Sequence, residues 1–531
     1  MTANRQSHFF AIAILAALFA ALGTNSPGFA FPFMHESASA TVESGQLEGS
    51  LEDGLQVFKG IPYAQPPVGP LRWRAPRTAD PWKGVFDATS FGSACPQAAN
   101  KDVSDSVMSE DCLTLNIWSP AKNASERLPV MVWVHGGDFD SGSSLMGIYD
   151  GSALAKKGVI IVTINYRLGY FGFFGHPKLT EEAQDEDAPT ANFGILDQIA
   201  ALKWVKRNIA AFGGDAANVT LFGESAGGVC VQALMTSPLA KDLFQKAIVQ
   251  SGGGRWMAPS LTSGSGRWLS AHDFGLKAAQ ALRIQAEDPL EELRNRTWQS
   301  IRNGLEKVPE LKNQSPFIDG QVLLDQMGPV FERGEEAHVP LIVGSNSYEG
   351  IYLRGAFEVR TKTVLAAVAP ILPALTELYP TQALMNDDRL ADYIWGDANF
   401  VEPSRMIARF ASRTGQPVYH YSFDFLPPLF RIFISGAPHG LDVVYLFGTF
   451  RHVLPFPVIQ SMNPVNRKTS EIMEAGWTNF AKTGDPAVPG LVPWPKFAEG
   501  NEQTLVFSNE GQTVERDFLR ERLDVFHGTI W

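Results

Sequence analysis

The chain is poor in cysteine and shows no excess of positive charge. Its three cysteines and ten histidines form no cluster with the spacing of a zinc site, and no glycine-rich loop of the phosphate-binding kind is present. We therefore expect neither a metal nor an organic cofactor. The 44 basic residues stand against 56 acidic ones, a formal net charge of −12. This balance argues against nucleic acid, or an anionic membrane surface, as the main partner.

Linkers, low-complexity tracts, charge blocks and short repeats are also missing. At ~100–200 residues per domain, 531 residues would suggest several domains, but α/β sheets often form longer single units. The hydrophobic content of 45% is sufficient for a deep core. We expect one large catalytic domain over residues 31–531, with insertions.

The N-terminus has the pattern of a secretory signal peptide. Arg5 precedes an unbroken apolar run at 9–22, and small and turn-forming residues follow as far as Ala30. The run is shorter than the ~20 residues of a membrane span. We predict a signal peptide over residues 1–30, cleaved after Ala30, and a secreted or periplasmic protein without a stable membrane span. A retained N-terminal anchor is the alternative.

Short apolar segments rich in valine or isoleucine are typical of strands buried on both faces of a sheet. They lie at 129–134, 159–165, 219–222, 246–250 and 340–343. Helical patterns separate the later segments, and one of them, at 196–212, ends at a Gly-Gly pair. This alternation predicts an α/β fold with a large, mostly parallel central sheet, helices on both faces and ligand chemistry at the carboxyl ends of the strands. Residues 273–310 and 360–410 have mostly helical patterns, which we interpret as cap-like insertions.

A G-x-S-x-G motif centred on Ser225 follows the strand at 219–222 and precedes an apolar helical run at 229–235. In this context the turn is so tight that the serine backbone is strained, and the strain presents the hydroxyl at the top of the sheet. The flanking glycines avoid clashes with neighbouring elements. The positive end of the following helix faces the developing oxyanion. The motif therefore predicts a nucleophilic serine in an α/β-hydrolase fold.

A serine nucleophile needs a base that is oriented by an acid, and this fold supplies them in the order serine, acid, histidine. His439 lies in a Gly-Ala-Pro-His-Gly segment, which favours a loop over a core helix. Glu349 follows the strand at 340–343, so it lies at a carboxyl end, whereas Asp319 and Asp325 precede that strand. Taken alone, a surface glutamate and a structural histidine explain these two residues equally well.

Hydrolysis also needs donors for the oxyanion. The segment His135-Gly136-Gly137-Asp138-Phe139 follows the first strong strand, the position of the HGGG-type loop. Its backbone N–H groups would join that of Ala226, and His135 itself is better explained as a residue that holds the loop. Cys95 and Cys112 are close enough in sequence to close a short loop, and Cys230, in an apolar stretch, is predicted to be a buried, inert thiol.

Several ordered segments make the chain resemble the type-B carboxylesterase/lipase family, which includes cholinesterases and bacterial para-nitrobenzyl-type esterases. The matching segments are FKGIPYA at 58–64 with PPVG at 66–69, EDCLTLN at 110–116, NYRLG at 165–169, FGGD at 212–215 leading to the nucleophile, and WP at 494–495. They cover most of the chain, which makes the resemblance far more specific than a lone pentapeptide.

The resemblance implies a function for individual residues. Ser225 matches the nucleophile, His439 the base and Glu349 the acid, which is glutamate in this family. The oxyanion donors fall on Gly137, Asp138 and Ala226, and Cys112 matches a half-cystine for which Cys95 is the available partner. The chain departs from the family at Asp138, where glycine or alanine is usual, and at Asp442, where glutamate is frequent.

The resulting hypothesis is an exported serine carboxylesterase that forms an acyl-enzyme with a small-molecule ester. Two alternatives remain. Some relatives are extracellular adhesion modules without activity, but those lack triad residues, whereas all three positions are filled here. The same residues could also hydrolyse amides or carbamates.

Overall fold

The predicted strands lie side by side in one 13-stranded sheet in the described part of the chain, seen in a computed structural model. The structure describes residues 37–186, 188–254, 257–266, 268–312, 315–356, 359–380, 386–454, 458–459 and 462–526. The predicted signal peptide at 1–30 lies outside the described residues.

The sheet has antiparallel edges and a parallel centre. Its strands are β1 Ser37–Val42, β2 Gly45–Glu52, β3 Leu55–Pro62, β4 Val85–Asp87, β5 Thr114–Ser119, β6 Leu128–Val134, β7 Ile160–Ile164, β10 Gly214–Glu224, β11 Lys246–Gln250, β12 Leu341–Asn346, β13 Val418–Phe423, β14 Gln503–Ser508 and β15 Gly511–Arg516; β8 Phe173–Phe174 and β9 Ala191–Asn192 pair separately. The order is β1-β2-β3-β5-β7-β6-β10-β11-β12-β13-β14-β15, with β4 beside β2. Every pair from β7 to β14 is parallel.

All five predicted strands are present, and their boundaries differ for local reasons. The predicted strand at 219–222 runs from Gly214 to Glu224, because its polar first half continues the pairing with β6 across an irregularity in register. The other strands were not predicted, among them β13 within the parallel centre. In β1 buried and exposed residues alternate, so this strand covers the core with one face only and has no continuous apolar run.

Helices cover the sheet. They are α1 Ser152–Ala155, α2 Gly169–Gly172, α3 Pro177–Glu186, α4 Phe193–Asn208, α5 Ala226–Thr236, α6 Ala271–Ala281, α7 Pro289–Asn295, α8 Trp298–Leu305, α9 Met327–Arg333, α10 Gly350–Ala356, α11 Thr361–Ala367, α12 Leu372–Leu378, α13 Asp387–Gly396, α14 Glu402–Arg413, α15 Leu441–Phe447, α16 Phe450–Val453, α17 Pro464–Thr483 and α18 Arg520–Asp524. The segments at 273–310 and 360–410 are largely helical, as predicted. Between α13 and α14 the helix loosens into a π-helical turn, Asp397–Val401, which the sequence pattern did not indicate.

Strand β6 is apolar throughout because the sheet separates two hydrophobic cores. Along β6, Val130, Val132 and Val134 pack into one core, whereas Met131 and Trp133 pack into the other. Successive side chains of a strand point to opposite faces. Both faces of β6 are therefore buried, which is the arrangement that its uniform apolar sequence predicts.

From Ser37 onward the chain forms one compact unit. In the described part of the chain no single helix is both long and apolar enough to cross a membrane, although α11 and α12, bent by 109° at their junction, pass the length and composition test as a pair.

Candidate active site

Ser225 lies at a sharp turn between β10 and α5. Its backbone has φ 58° and ψ −128°, a conformation that non-glycine residues rarely adopt and that costs about 1–3 kcal/mol. The turn is held because the Ser225 N–H donates to the Gln250 carbonyl at 2.9 Å and the Val229 N–H donates to the Ser225 carbonyl at 3.0 Å. The chain thus holds this serine in the strained turn expected for an exposed nucleophile.

The glycines beside Ser225 allow the turn to pack closely against β6. A Cβ built on Gly227 would lie 2.1 Å from the Val134 carbonyl oxygen, and one on Gly223 would lie 2.7 Å from the same atom. Real Cβ atoms do not approach backbone oxygens so closely. The two glycines of the motif are therefore required by packing, as the sequence predicted.

His439 and Glu349 meet although they are 90 residues apart in sequence. The imidazole Nδ1 lies 2.5 Å from Glu349 Oε2. The other oxygen of Glu349 accepts bonds from Ser251 Oγ at 2.6 Å and from the Asn346 N–H at 2.7 Å. Since its side chain is fully buried, Glu349 is held in one orientation and presents a single oxygen to the imidazole.

The second nitrogen of His439 faces the residue before the nucleophile. Nε2 lies 3.1 Å from Glu224 Oε1, and within the described residues it makes no hydrogen bond. Burial raises the pKa of Glu224 to about 8. Burial lowers the pKa of His439, but Glu224 and Glu349 outweigh that effect and raise it to about 9. Catalytic hydrogen bonds are often long in a free enzyme and shorten when the substrate binds.

The loop at residues 135–139, which follows β6 and was predicted to supply oxyanion donors, packs directly on Ser225. We call it the oxyanion loop. A Cβ built on Gly136 would lie 3.0 Å from the Ser225 Cβ. Gly137 and Asp138 have φ of 116° and 54°, so both adopt left-handed conformations. Glycine adopts them freely, and aspartate tolerates the left-handed region better than most residues. Ala226 opens helix α5 on the other side of Ser225.

His135 supports this loop and is buried. Its Nδ1 lies 2.8 Å from the Gly136 oxygen, and burial lowers its pKa to about 4. Because a carbonyl can only accept, the neutral ring must carry its proton on Nδ1. Tyr166 stacks on the ring at 4.5 Å between centroids. His135 is thus a donor to the loop, consistent with the role predicted for it.

Asp442 lies in a buried hydrogen-bond network that reaches Glu349 through Asn346. Its buried carboxylate accepts from Gln250 Nε2 at 2.7 Å, Tyr421 OH at 2.8 Å and Asn346 Nδ2 at 3.0 Å. Asp319 instead accepts from the backbone N–H groups of the turn that follows it. Neither carboxylate hydrogen-bonds to the imidazole.

Three further residues of the site were not identified from the sequence. They are Ser251, which donates to Glu349, Glu224, which faces His439, and Phe400, whose ring lies 5.0 Å from that of His439. Glu224 lies inside the motif, but its approach to His439 is visible only in the structure. Phe400 is placed by the π-helical turn, a feature that is often found at functional sites.

Cys95 and Cys112 form a disulfide with an S–S distance of 2.03 Å. Cys230 is free and buried, and burial raises the pKa of its thiol to about 12. Among the described residues no group of three or more histidine, cysteine, aspartate and glutamate side chains has an arrangement that could hold a metal ion.

Comparison with known proteins finds matches over nearly the whole chain. The sequence model of the carboxylesterase family matches residues 36–526. The para-nitrobenzyl esterase of Bacillus subtilis is 36% identical in an alignment of 506 positions that covers 90% of this chain and 96% of that protein. The fumonisin B1 esterase of Sphingopyxis macrogoltabida is 34% identical in an alignment of 472 positions that covers 87% of this chain and 84% of that protein.

Solved structures of esterases superpose on most of this chain. A carboxylesterase of Geobacillus stearothermophilus superposes with a TM-score of 0.78 at 32% identity, covering 91% of this chain and 99% of that one. A para-nitrobenzyl esterase structure superposes with a TM-score of 0.76 at 33% identity, with the same coverage of both chains. The predicted α/β-hydrolase fold is confirmed.

Proposed function

The chain belongs to the carboxylesterase family and is a serine-type hydrolase of carboxylic esters, and we propose that it acts through Ser225, His439 and Glu349 with an acyl-enzyme intermediate. The proposal depends most on one observation, the 2.5 Å contact between His439 Nδ1 and a buried Glu349. That contact turns Nε2 away from Glu349 and towards Glu224, the residue before Ser225.

The reaction begins with the Ser225 hydroxyl. Its proton passes to His439 Nε2 while Oγ forms a bond to the carbonyl carbon of the ester. Glu349 stabilises the imidazolium that results. The tetrahedral intermediate collapses as the C–O bond to the alcohol breaks and His439 returns the proton to the departing oxygen. Water, deprotonated by the same imidazole, then releases the acid from Ser225.

The negative oxygen of the intermediate is held by the backbone N–H groups of Gly137, Asp138 and Ala226. Two come from the loop that packs on Ser225, and the third opens helix α5. Removing one such donor typically costs about 3–4 kcal/mol of transition-state stabilisation. The left-handed backbone of Gly137 and Asp138 and the close packing of their loop on the strained turn at Ser225 support this arrangement.

The substrate is proposed to be a small-molecule carboxylic ester. Relatives are named as esterases of para-nitrobenzyl esters and of fumonisin B1. A panel of esters that varies the acyl and the alcohol group separately, together with matched amides and carbamates, tests the substrate class. Turnover of the esters at rates far above those of the amides and carbamates is expected.

We also propose export to the periplasm or the medium, with removal of residues 1–30. The charged, apolar and small-residue order of the N-terminus supports it, as does the Cys95–Cys112 disulfide, because such bonds persist in oxidising compartments. N-terminal sequencing of the protein from each cell fraction tests this proposal. A cytoplasmic protein that retains residues 1–30 would contradict it.

The catalytic proposal is tested with a fluorophosphonate that labels activated serines. The full-length protein is incubated with the probe, digested and mapped by mass spectrometry. Stoichiometric labelling of Ser225 is expected, together with a burst of alcohol release equal to the enzyme concentration. A protein that hydrolyses esters without labelling at Ser225 would overturn the assignment.

A further inference from the structure

The disulfide loop reaches the oxyanion loop through one buried side chain, Gln97. The Gln97 Nε2 donates to the Gly142 carbonyl at 2.8 Å, and the Gly142 N–H donates back to Gln97 Oε1 at 2.9 Å. Gln97 is 3% exposed, so water does not compete for these bonds. A pair of bonds in opposite directions fixes both the position and the orientation of the Gly142 backbone.

Gly142 in turn packs against the start of the oxyanion loop. A Cβ built there would lie 2.4 Å from His135 Nδ1 and 2.5 Å from the Gly136 oxygen. Its φ of 106° lies in a region that residues other than glycine adopt only with strain. Gly142 therefore packs against both partners of the hydrogen bond between His135 and the Gly136 carbonyl, so a shift of Gly142 would remove a close contact that helps to hold this carbonyl.

The directions of the Gly136 and Gly137 carbonyls set the directions of the next N–H groups in the chain. These belong to Gly137 and Asp138, two of the proposed oxyanion donors. In a trans peptide the C=O of one residue and the N–H of the next point in opposite directions. The Gly136 carbonyl points to His135 Nδ1 at 2.8 Å, so the Gly137 N–H points away from that ring. The Gly137 carbonyl accepts from Ser141 at its N–H, 2.9 Å, and at its Oγ, 2.8 Å, so the Asp138 N–H points away from Ser141.

The backbone of Gln97 is itself held in place. The Gln97 carbonyl accepts from Arg302 Nη1 at 2.8 Å, and Gln97 lies two residues after Cys95, which is joined to Cys112. Helix α8 and the disulfide thus hold the backbone of Gln97, while its side chain hydrogen-bonds to Gly142.

We propose that Gln97 is a positioning residue for ester hydrolysis, which keeps the Gly137 and Asp138 N–H groups aimed at the oxyanion by holding Gly142. The inference rests on the proposed function, since it assumes that these N–H groups stabilise the tetrahedral intermediate. Gln97 touches no reacting atom. Its loss should therefore weaken binding of the transition state while binding of the substrate in its ground state changes little.

The test compares Gln97→Met with Gln56→Met in the full-length protein. Gln56 on β3 is the matched control, because its Nε2 also donates to a backbone carbonyl, that of Ala121 at 2.6 Å. We expect Gln97→Met to lower kcat by about tenfold or more with KM within twofold, a fraction of the ~10²–10³ loss seen on removal of a whole donor. Gln56→Met should change kcat less than twofold.

The second measurement is the affinity for a trifluoromethyl ketone, which adds to the serine as a tetrahedral adduct. Its inhibition constant should rise in Gln97→Met by the same factor as kcat/KM falls. If Gln97→Met does not fold, Gln97→Glu, which keeps the length and the acceptor, is measured in the same way. A kcat within twofold of wild type, or an unchanged inhibition constant, overturns the inference. Missing fluorophosphonate labelling of wild-type Ser225 would instead overturn the proposed function itself.

Discussion

The Nε2 atom of His439 lies 3.1 Å from the Oε1 atom of Glu224. Glu349 approaches the opposite nitrogen at 2.5 Å, so the imidazole lies between two carboxylates. An anion beside each nitrogen favours the imidazolium form. The imidazole must be neutral to take the serine proton, so the charge state of Glu224 affects the pH at which the base becomes active.

Glu224→Gln is expected to move the acidic limb of the kcat/KM profile to lower pH. Burial lowers the pKa of His439 and the two carboxylates raise it to about 9, so activity of the wild type should increase with pH through the neutral range. Burial raises the pKa of Glu224 to about 8, so Glu224 is ionised in the upper part of this range. Its removal there destabilises the imidazolium, lowers the pKa of His439 and should shift the limb by about one pH unit. Glu336→Gln, at a buried carboxylate bonded to Gln416, is the control. A limb that stays in place or moves upward would contradict the prediction.

Ser225→Ala should abolish ester turnover and leave the fold intact. Loss of a triad nucleophile typically lowers kcat by about 10⁶. The strained turn is held by the backbone of Ser225, which alanine preserves, so the melting temperature should change little. The measurements are kcat with a chromogenic ester and a thermal melt. Activity within tenfold of wild type would refute the mechanism.

Glu349→Gln should lower kcat by about 10⁴, the loss seen when a triad acid is neutralised. Asp442→Asn is the comparison, because Asp442 is equally buried but bonds to Gln250, Tyr421 and Asn346. Steady-state kinetics of both variants should show the far larger loss at Glu349. A severe effect at Asp442 with a mild one at Glu349 would reassign the acid.

Asp138→Asn should change kcat/KM for neutral esters less than tenfold, about 1.4 kcal/mol, and should change it no more for cationic esters. Only the N–H of this residue is assigned to the oxyanion. Asparagine removes the charge and tolerates the left-handed backbone at φ 54°. Parallel assays with neutral and quaternary ammonium esters check the prediction. A selective loss for cationic esters would mean that the carboxylate recognises the substrate.

Thiol titration should find no reactive cysteine in the native protein. One thiol should react after denaturation without a reductant, and three after reduction, because Cys95 and Cys112 are joined while Cys230 is buried with its pKa raised to about 12. A second reactive thiol before reduction would show that the disulfide is absent from the protein.

Where the relevant physics is local, the site could be predicted from the sequence. The strand, the tight turn at Ser225 and the following helix are consecutive in the chain. The glycines that the turn requires can be read directly from the sequence. Ser225 and the loop that carries Gly137 and Asp138 were predicted in this way. Strands β6, β7, β10, β11 and β12 were predicted from their apolar runs, since burial on both faces favours such runs.

His439 and Glu349 were fair hypotheses from the sequence, and the family resemblance strengthened them. Loop composition and position after a strand narrowed the choice of histidine and acid, but many surface residues satisfy the same criteria. Only the sheet, which brings the ends of distant strands to one edge, places the two side chains 2.5 Å apart.

Tertiary structure alone decided what surrounds Ser225, His439 and Glu349. The approach of Glu224 to His439, the ring of Phe400 beside the imidazole and the exchange of bonds between Gln97 and Gly142 leave no periodic trace in the sequence. Each depends on two segments that are distant along the chain, and the angle and distance between them are set by packing of the whole core. Local propensity determined which elements form, whereas the close packing of those elements determined which polar groups face one another.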